Sequence, residues 1–404
     1  MYLCSGQRDR LMIPNEVRLK CVSRPPRALV VVSQVYADGG IQRFNRIFLT
    51  ACHELGIQCE VLSLGDDDAS RGRWDPPRSA SVNVFGRNKA HFAARIWARM
   101  LARQYDFIVV GHVNCIEVVA AAVIFRLRRR PRVLMIAHGI DVWTGLDGWR
   151  MKRAMAKLDL ILCVSRYTRQ RIQIQRPELP EERCAIFPNA LSDSWLSKSG
   201  ALQPIVSAMR IPERFILSVT RLDRGDRYKG LTTVIEAVAM LEDSSVHCVV
   251  AGQGNDQAFL EGMAQRFGVS DRVHFIGRVS DAQLARLYED CIAFVLPSGK
   301  EGFGIVFLEA MYFGAPIIAA REKGAIDVVQ QGETGLLVPY GDTISLAEAI
   351  GVLLGNEALR AYLRENGRRL VSEDGPFSSR AYRERLGKLL NIDPPTRPFD
   401  TRVS

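Results

Sequence analysis

Short β-rich runs alternate with helical patterns along most of this chain, and they do so in two successive series. In the first series the runs are Ala28–Ser33, Gln58–Leu64, Asp106–Gly111, Val133–Ala137 and Asp159–Val164, with Ile41–Leu55 repeating its apolar residues at helical spacing between the first two. A polar, Pro-containing stretch from Leu191 to Pro212 follows. The rhythm then returns with strands over Phe215–Val219, Val246–Ala251, Val273–Ile276, Ile292–Leu296 and Pro316–Ala320. Helices are predicted over Lys229–Leu241, from Asp256, over Asp281–Asp290 and Ile305–Phe313, and beyond Asp342. Strands separated by helices in this way predict parallel sheets covered on both faces. The chain of 404 residues is also too long for one ordinary core. We therefore expect an α/β protein of two Rossmann-like, doubly wound domains, at 27–195 and 205–375. Residues 1–26 read as a poorly structured tail, and 376–404 as a C-terminal helix and tail. Doubly wound sheets bind ligands beyond the carboxyl ends of their strands, so two facing domains would form the site in the cleft between them.

Charge and cysteine usage narrow the function. Residues 1–200 carry 31 Lys and Arg against 18 Asp and Glu, a net of +13, whereas residues 201–404 carry 23 against 26, a net of −3. One half is thus suited to an anionic partner, nucleic acid or an anionic membrane surface. No recognised nucleic-acid module accompanies the charge, which disfavours the first. No apolar run approaches the roughly 18–20 residues of a membrane span, and the amino terminus lacks the apolar core of a signal peptide. The nine cysteines are scattered, several within apolar runs, and none forms a Cys-x-x-Cys pair. Reduced thiols in a cytoplasmic protein are the expectation.

The segment richest in chemistry is Pro297-Ser298-Gly299-Lys300-Glu301-Gly302-Phe303-Gly304-Ile305-Val306-Phe307-Leu308-Glu309-Ala310, between a predicted strand and a predicted helix. Gly302 and Gly304 allow close approach of the backbone, and free amides at a helix start favour a diphosphate. Carboxylates suit paired hydroxyls of a sugar or ribose. Arg221, after Ser218-Val219-Thr220, and Lys229, before Gly230, sit where strands deliver ligand-facing loops. Asp38-Gly39-Gly40-Ile41 follows the first strand without completing a Gly-x-Gly-x-x-Gly, which disfavours a dinucleotide oxidoreductase. Ala137-His138-Gly139-Ile140-Asp141-Val142-Trp143 follows another buried strand. Asp66-Asp67-Asp68 has the form of a metal-binding Asp-x-Asp, but it has no partner ligands and reads as a solvated turn.

The Glu301 segment, continuing through Met311 and Gly314, resembles the Glu-x7-Glu motif of the family 4 retaining glycosyltransferases, which have the GT-B fold of two facing Rossmann-like domains. The resemblance covers roughly residues 28–372. It implies that Glu301 orients the transferred sugar, that Glu309 holds the nucleotide ribose, and that Phe303, Gly304 and Ile305 offer backbone amides. It makes Arg221 and Lys229 the pair that neutralises the leaving diphosphate, so that no metal and no cofactor beyond the nucleoside diphosphate sugar is expected. Gly40 matches the family's glycine loop, His138 its contact to the donor sugar, and Ser165 and Asn189 architectural positions. Gly252 and Arg278 match nucleotide-handling loops, and Asp141 is the acceptor-side candidate. Lys323 stands where many relatives have a glycine. Asp226-Arg227-Tyr228-Lys229-Gly230 and the His138 segment look most like bacterial exopolysaccharide enzymes, including mannosyltransferases.

The implied reaction moves a sugar, in the mannosyltransferase reading mannose, to a hydroxyl of a glycan or lipid-linked acceptor. Two rivals remain open at this point: a nucleotide-sugar epimerase or hydrolase of the same fold, and a catalytically idle subunit that binds a partner enzyme. Finally, Lys89–Gln104 reads as a helix with Arg95, Arg99 and Arg103 along one face beside Trp97, and Arg126, Arg128, Arg129, Arg130 and Arg132 form a second cluster. That helix, on the inner face of the plasma membrane, is the expected contact with an anionic leaflet, each basic residue contributing about 1 kcal/mol near the surface.

Overall fold

Each series of strands closes into its own parallel sheet. In the computed structural model, which describes residues 24–393 apart from 38, 73, 125–129, 193–195 and 197–210, the first sheet has seven strands. They are β1 (Arg27–Val32), β2 (Gln58–Ser63), β3 (Ala80–Val84), β4 (Phe107–Val110), β5 (Arg132–Ala137), β6 (Leu160–Cys163) and β7 (Cys184–Ile186), in the order β3-β2-β1-β4-β5-β6-β7. The second has six: β8 (Phe215–Val219), β9 (His247–Ala251), β10 (Val273–Gly277), β11 (Ala293–Leu296), β12 (Ile317–Ala320) and β13 (Gly335–Val338), in the order β10-β9-β8-β11-β12-β13. In both, the order reverses beside the first strand, which opens a ligand-binding crevice at that point.

The two-residue period of β1 explains how one strand serves two layers. Val30 and Val32 face α1 (Gly40–Glu54), through Phe44 and Phe48. Leu29 and Val31 face the opposite layer of α2 (Lys89–Ala102), α3 (Ile116–Ile124), α4 (Trp149–Met155) and α5 (Arg166–Gln175). In the second sheet, α6 (Leu231–Met240), α7 (Gln257–Arg266) and α10 (Thr343–Gly355) cover one face. The other face carries α8 (Asp281–Asp290) and α9 (Ile305–Phe313), against which α11 (Glu357–Val371) also packs. The chain then returns to the first domain. Helix α12 (Ser379–Leu390) buries Tyr382, Leu386 and Leu390, its Tyr382 ring 4.4 Å from Phe187 and 5.9 Å from Phe44. Arg383 bonds Glu54 at 3.2 Å, and Arg132 donates to the carbonyls of Leu389 and Leu390.

Two expectations need correction. Asp66 is no solvated residue: it is 1 % exposed and accepts from the amides of Val35 (2.6 Å) and Tyr36 (3.1 Å) and from Ser63 Oγ (2.7 Å). It pins the loop that follows β1. The basic face of α2 is not free either. Glu60 on β2 is buried, and a buried carboxylate must be matched by cations. Arg99 Nε lies 2.5 Å from one of its oxygens, and Arg103 Nη1 (3.2 Å) and the Tyr105 hydroxyl (2.7 Å) reach the other. Arg103 lies past the helix end, and Arg95 and Trp97 are half-buried. Of the second basic cluster, Arg126, Arg128 and Arg129 lie outside the described residues, as do residues 1–23, most of the 191–212 stretch and 394–404. The seven cysteines among the described residues are buried thiols. No helix there is long and apolar enough to cross a membrane.

Candidate functional site

The loops at the carboxyl ends of the two sheets meet face to face. Backbone rather than side chains makes the closest approach, which is why glycine stands at the contact. A Cβ on Gly139 would come within 2.6 Å of Gly302 Cα, and one on Gly302 within 2.3 Å of the His138 carbonyl oxygen; within the second domain, one on Gly324 would come within 2.1 Å of the Gly302 carbonyl oxygen. Nearby, Gly40 at the start of α1 faces Ile305 at the start of α9.

On the second domain, Gly304 takes a left-handed conformation (φ 89°) and opens α9 with no side chain capping it. The first amides of the helix, with the positive end of its dipole, therefore point into the cleft. Lys229 and Glu301 are brought together there, Nζ to Oε2 at 2.7 Å, both largely sheltered. Arg221 lies outward of them, its side chain 73 % exposed and oriented by buried Asp226 at 2.9 Å. Asp226 also accepts from the Tyr228 hydroxyl at 2.9 Å, and burial pushes that phenol well above its ordinary pKa. The turn that carries these residues, Arg224–Lys229, is anchored at its back by a double hydrogen bond from Arg227 to Asp256, both at 2.7 Å. Two long cationic side chains are thus held by second residues, which is what charge stabilisation without reorganisation requires. Gly252 is obligatory, since a Cβ there would meet the Thr220 carbonyl at 1.8 Å. Its amide bonds the Gly277 carbonyl at 2.8 Å, next to exposed Arg278. Phe303 is buried against Phe377 and serves as packing.

On the first domain, His138 is held rather than loose. Its Nε2 lies 2.9 Å from the Gly111 carbonyl oxygen, so that nitrogen carries the proton, and the ring stands edge-on to Phe44. Burial pushes its pKa down to about 4. At neutral pH it is a neutral imidazole and adds no charge to the cleft. Asp141 accepts from the His138 amide, while its Oδ1 is buried without a partner. Burial raises the pKa of Asp141, and His112 opposes the rise.

Arg43, Arg166 and His112 escaped the sequence reading. Arg43, one turn into α1, crosses the cleft to bond Glu309, which is 1 % exposed and also receives the Tyr288 hydroxyl at 3.4 Å. Arg166 reaches Asp327 across the same cleft at 2.6 Å. His112 enters as the neighbour of Asp141. Lys323 has φ +58°, a conformation that a glycine would adopt without strain. Its amine bonds the Gly299 carbonyl and lies 5.8 Å from the centre of the Trp143 ring. Among the described residues no cluster of three His, Cys, Asp or Glu is placed to hold a metal ion.

Comparison with known proteins agrees with this geometry. The family model described as "Glycosyltransferase Family 4" matches residues 38–195, and that described as "Glycosyl transferases group 1" matches residues 207–370. The chain is 28 % identical to the human alpha-1,3/1,6-mannosyltransferase ALG2 over 363 residues, 82 % of each chain. It is 29 % identical to an uncharacterized glycosyltransferase of Methanocaldococcus jannaschii over 202 residues, 48 % of this chain and half the length of that relative. A GDP-mannose-dependent phosphatidylinositol monomannoside mannosyltransferase of Mycobacterium tuberculosis is 29 % identical over 63 % of this chain and 69 % of its own. Among solved structures, HepE of Anabaena in complex with UDP superposes with a TM-score of 0.72 at 19 % identity, covering 90 % of this chain and 99 % of that one. The fold is GT-B.

Proposed function

The chain belongs to the family 4 glycosyltransferases, and on that premise we propose that it transfers a sugar from a nucleoside diphosphate donor to an acceptor hydroxyl with retained configuration. The observation that carries this reading is the Lys229–Glu301 pair at the uncapped start of α9, with Arg221 held beside it by Asp226. Negative charge grows on the diphosphate as the glycosidic bond breaks. Fixed cations and helix amides placed at that point stabilise the transition state more than the ground state. Arg221, Lys229 and the amides following Gly304 supply that stabilisation from the chain itself, so the reaction needs no metal ion. Glu301 is placed to receive hydroxyls of the sugar, and Glu309 those of the ribose. Neutral His138 offers a hydrogen bond without charge, and Asp141 lies on the acceptor side. Mannose is the sugar that the human and mycobacterial relatives' names favour.

We further read the protein as a peripheral cytoplasmic enzyme whose acceptor is a lipid-linked glycan. With Arg99 and Arg103 committed to Glu60, the exposed basic face is that of α4. Trp149 there is 66 % exposed, with the Arg150 guanidinium 5.3 Å from its ring centre, and Arg150, Lys152 and Arg153 are exposed. No acid interrupts Trp149–Lys157. This helix directly follows the loop carrying His138 and Asp141, so docking it on an anionic leaflet brings the cleft mouth to the lipid. The deciding experiment is a thermal-shift screen with GDP-, UDP- and ADP-sugars, followed by product analysis with membrane extracts as acceptor. A donor that stabilises the fold, and transfer of its sugar with retention, are expected. Donor breakdown that no acceptor accelerates would instead establish a hydrolase.

A further inference from the structure

Glu309 has a partner within the chain itself, and that partner comes from the other domain. Its carboxylate is 2 % exposed, with the Tyr288 hydroxyl at one oxygen and the Arg43 guanidinium at the other. The surroundings are otherwise apolar: Phe294, Phe307 and Phe313 are buried against Tyr288 or against one another. A carboxylate in such a place must be matched by a cation or by hydrogen-bond donors. Arg43 approaches from α1, across the cleft, and so covers the side of the carboxylate that a ligand in the cleft would meet. The two helix starts, Gly40 of α1 and Ile305 of α9, stand opposite each other. Both present the positive ends of their dipoles to the same space, so their approach carries a repulsion that the Arg43–Glu309 pair offsets.

Arg43 also has somewhere to go. Its Nη2 lies 3.5 Å from Asp281 at the start of α8, an acid with 43 % of its side chain exposed. The guanidinium can give up Glu309 and keep Asp281 by rotating its side chain, without crossing back into solvent. A planar fork with five donors is suited to holding two carboxylates in turn.

We propose that Arg43 is an interdomain clasp that competes with the donor's ribose for Glu309. This rests on the reading of Glu309 as the ribose ligand. In the empty enzyme Arg43 neutralises Glu309 and holds the domains together. When a nucleoside diphosphate enters, the ribose hydroxyls replace the guanidinium at Glu309, and Arg43 turns to Asp281. After transfer, the clasp re-forms as the nucleoside diphosphate leaves, which speeds product release. Arg43 is therefore a positioning residue: it acts on the nucleotide through Glu309, and its presence weakens nucleotide binding.

Calorimetric titration of UDP and GDP into wild type, Arg43→Gln, Glu309→Gln and the double variant tests this. Whichever diphosphate binds wild type should bind Arg43→Gln about five- to twentyfold more tightly. Glu309→Gln should bind it more weakly, and adding Arg43→Gln to that background should change nothing further. Small-angle scattering should show nucleotide-free Arg43→Gln more open than nucleotide-free wild type, with Arg43→Lys restoring part of the closure. A merely structural Arg43 would weaken binding when replaced, not strengthen it. Equal or weaker binding by Arg43→Gln, with Glu309→Gln still impaired, overturns the clasp alone. Unchanged binding by Glu309→Gln overturns the ribose assignment, and the clasp with it.

Discussion

Lys229 is the residue at which structure and chemistry can be separated most cleanly. Its amine and the Glu301 carboxylate lie 2.7 Å apart with side chains 19 % and 13 % exposed. At an effective dielectric near 20 such a pair attracts by roughly 6 kcal/mol before both groups are desolvated. Most of that is offset by desolvation. Removing one partner then falls between the exposed case, about 0–1 kcal/mol, and the buried one, about 3–5 kcal/mol. Lys229→Met keeps the apolar stem, so its stability loss should be about 2 kcal/mol, nearly all from the stranded Glu301. Transition-state stabilisation should fall by about 2–4 kcal/mol, a loss of roughly 30- to 900-fold in kcat/KM. The second substitution discriminates. Lys229→Met with Glu301→Gln removes the stranded charge and should recover most of the stability in urea denaturation. Turnover of radiolabelled donor should stay low, because the cation at the leaving group and the carboxylate that receives the sugar are both missing. If the single variant turns over within threefold of wild type, or the double variant regains activity, the amine does not serve the diphosphate.

Other outcomes follow from the same geometry. His138 carries a folded-state pKa of about 4 against an ordinary 6.5. Its contribution to stability is therefore complete above pH 6.5 and lost as the pH falls from there towards 4, by up to roughly 3 kcal/mol. Urea midpoints of wild type and His138→Gln should converge over that window, and parallel curves would contradict the buried, neutral ring. Transfer activity should persist in excess EDTA; full loss that Mg²⁺ or Mn²⁺ restores would reject neutralisation by Arg221 and Lys229. The protein should sediment with anionic vesicles and not with neutral ones, and less so as salt shortens the reach of surface charge to about 8 Å. Trp149→Ala with Arg150→Glu and Arg153→Glu should abolish sedimentation while sparing nucleotide binding; undiminished sedimentation would remove α4 as the docking face.

How much of this was legible in the sequence follows from where each residue gets its partner. Central strands such as β8 and helices such as α8 and α9 match their predicted limits residue for residue, because burial on both faces leaves a continuous apolar signal. The strands that escaped notice, β3, β7 and β13, are short or lie at sheet edges. In β3, exposed Ser81 and half-buried Asn83 blur the pattern. Glu301, Glu309, Arg221 and Lys229 could be singled out because they stand in short contiguous motifs, the Glu-x7-Glu segment after β11 and the Arg…Lys-Gly stretch after β8. Arg43 could not, since one arginine on an amphipathic helix looks solvated until the carboxylate 266 positions away is known. The same blindness misplaced Arg99 and Arg103, whose partner Glu60 lies on a neighbouring strand. Spacing along a helix reports which residues share a face; it cannot report what that face meets.

The partners within the cleft also bear on which ligand it accepts. Four carboxylates there are matched within the chain: Glu301 by Lys229, Glu309 by Arg43, Asp226 by Arg221 and Asp327 by Arg166. An incoming ligand therefore exchanges contacts and adds few. A bare phosphate or diphosphate could attract Lys229 and Arg221, but would leave Glu301 with no donor in place of the amine it lost. Stranding a sheltered carboxylate costs about 1–3 kcal/mol or more, and that sum works against phosphate anions as occupants. A nucleoside diphosphate sugar carries both halves of the exchange, since its diphosphate satisfies the cations and its sugar and ribose hydroxyls satisfy the two glutamates. Discrimination in this cleft thus comes from groups that are already paired, because a ligand gains affinity with each of the two glutamates that its hydroxyls can re-pair.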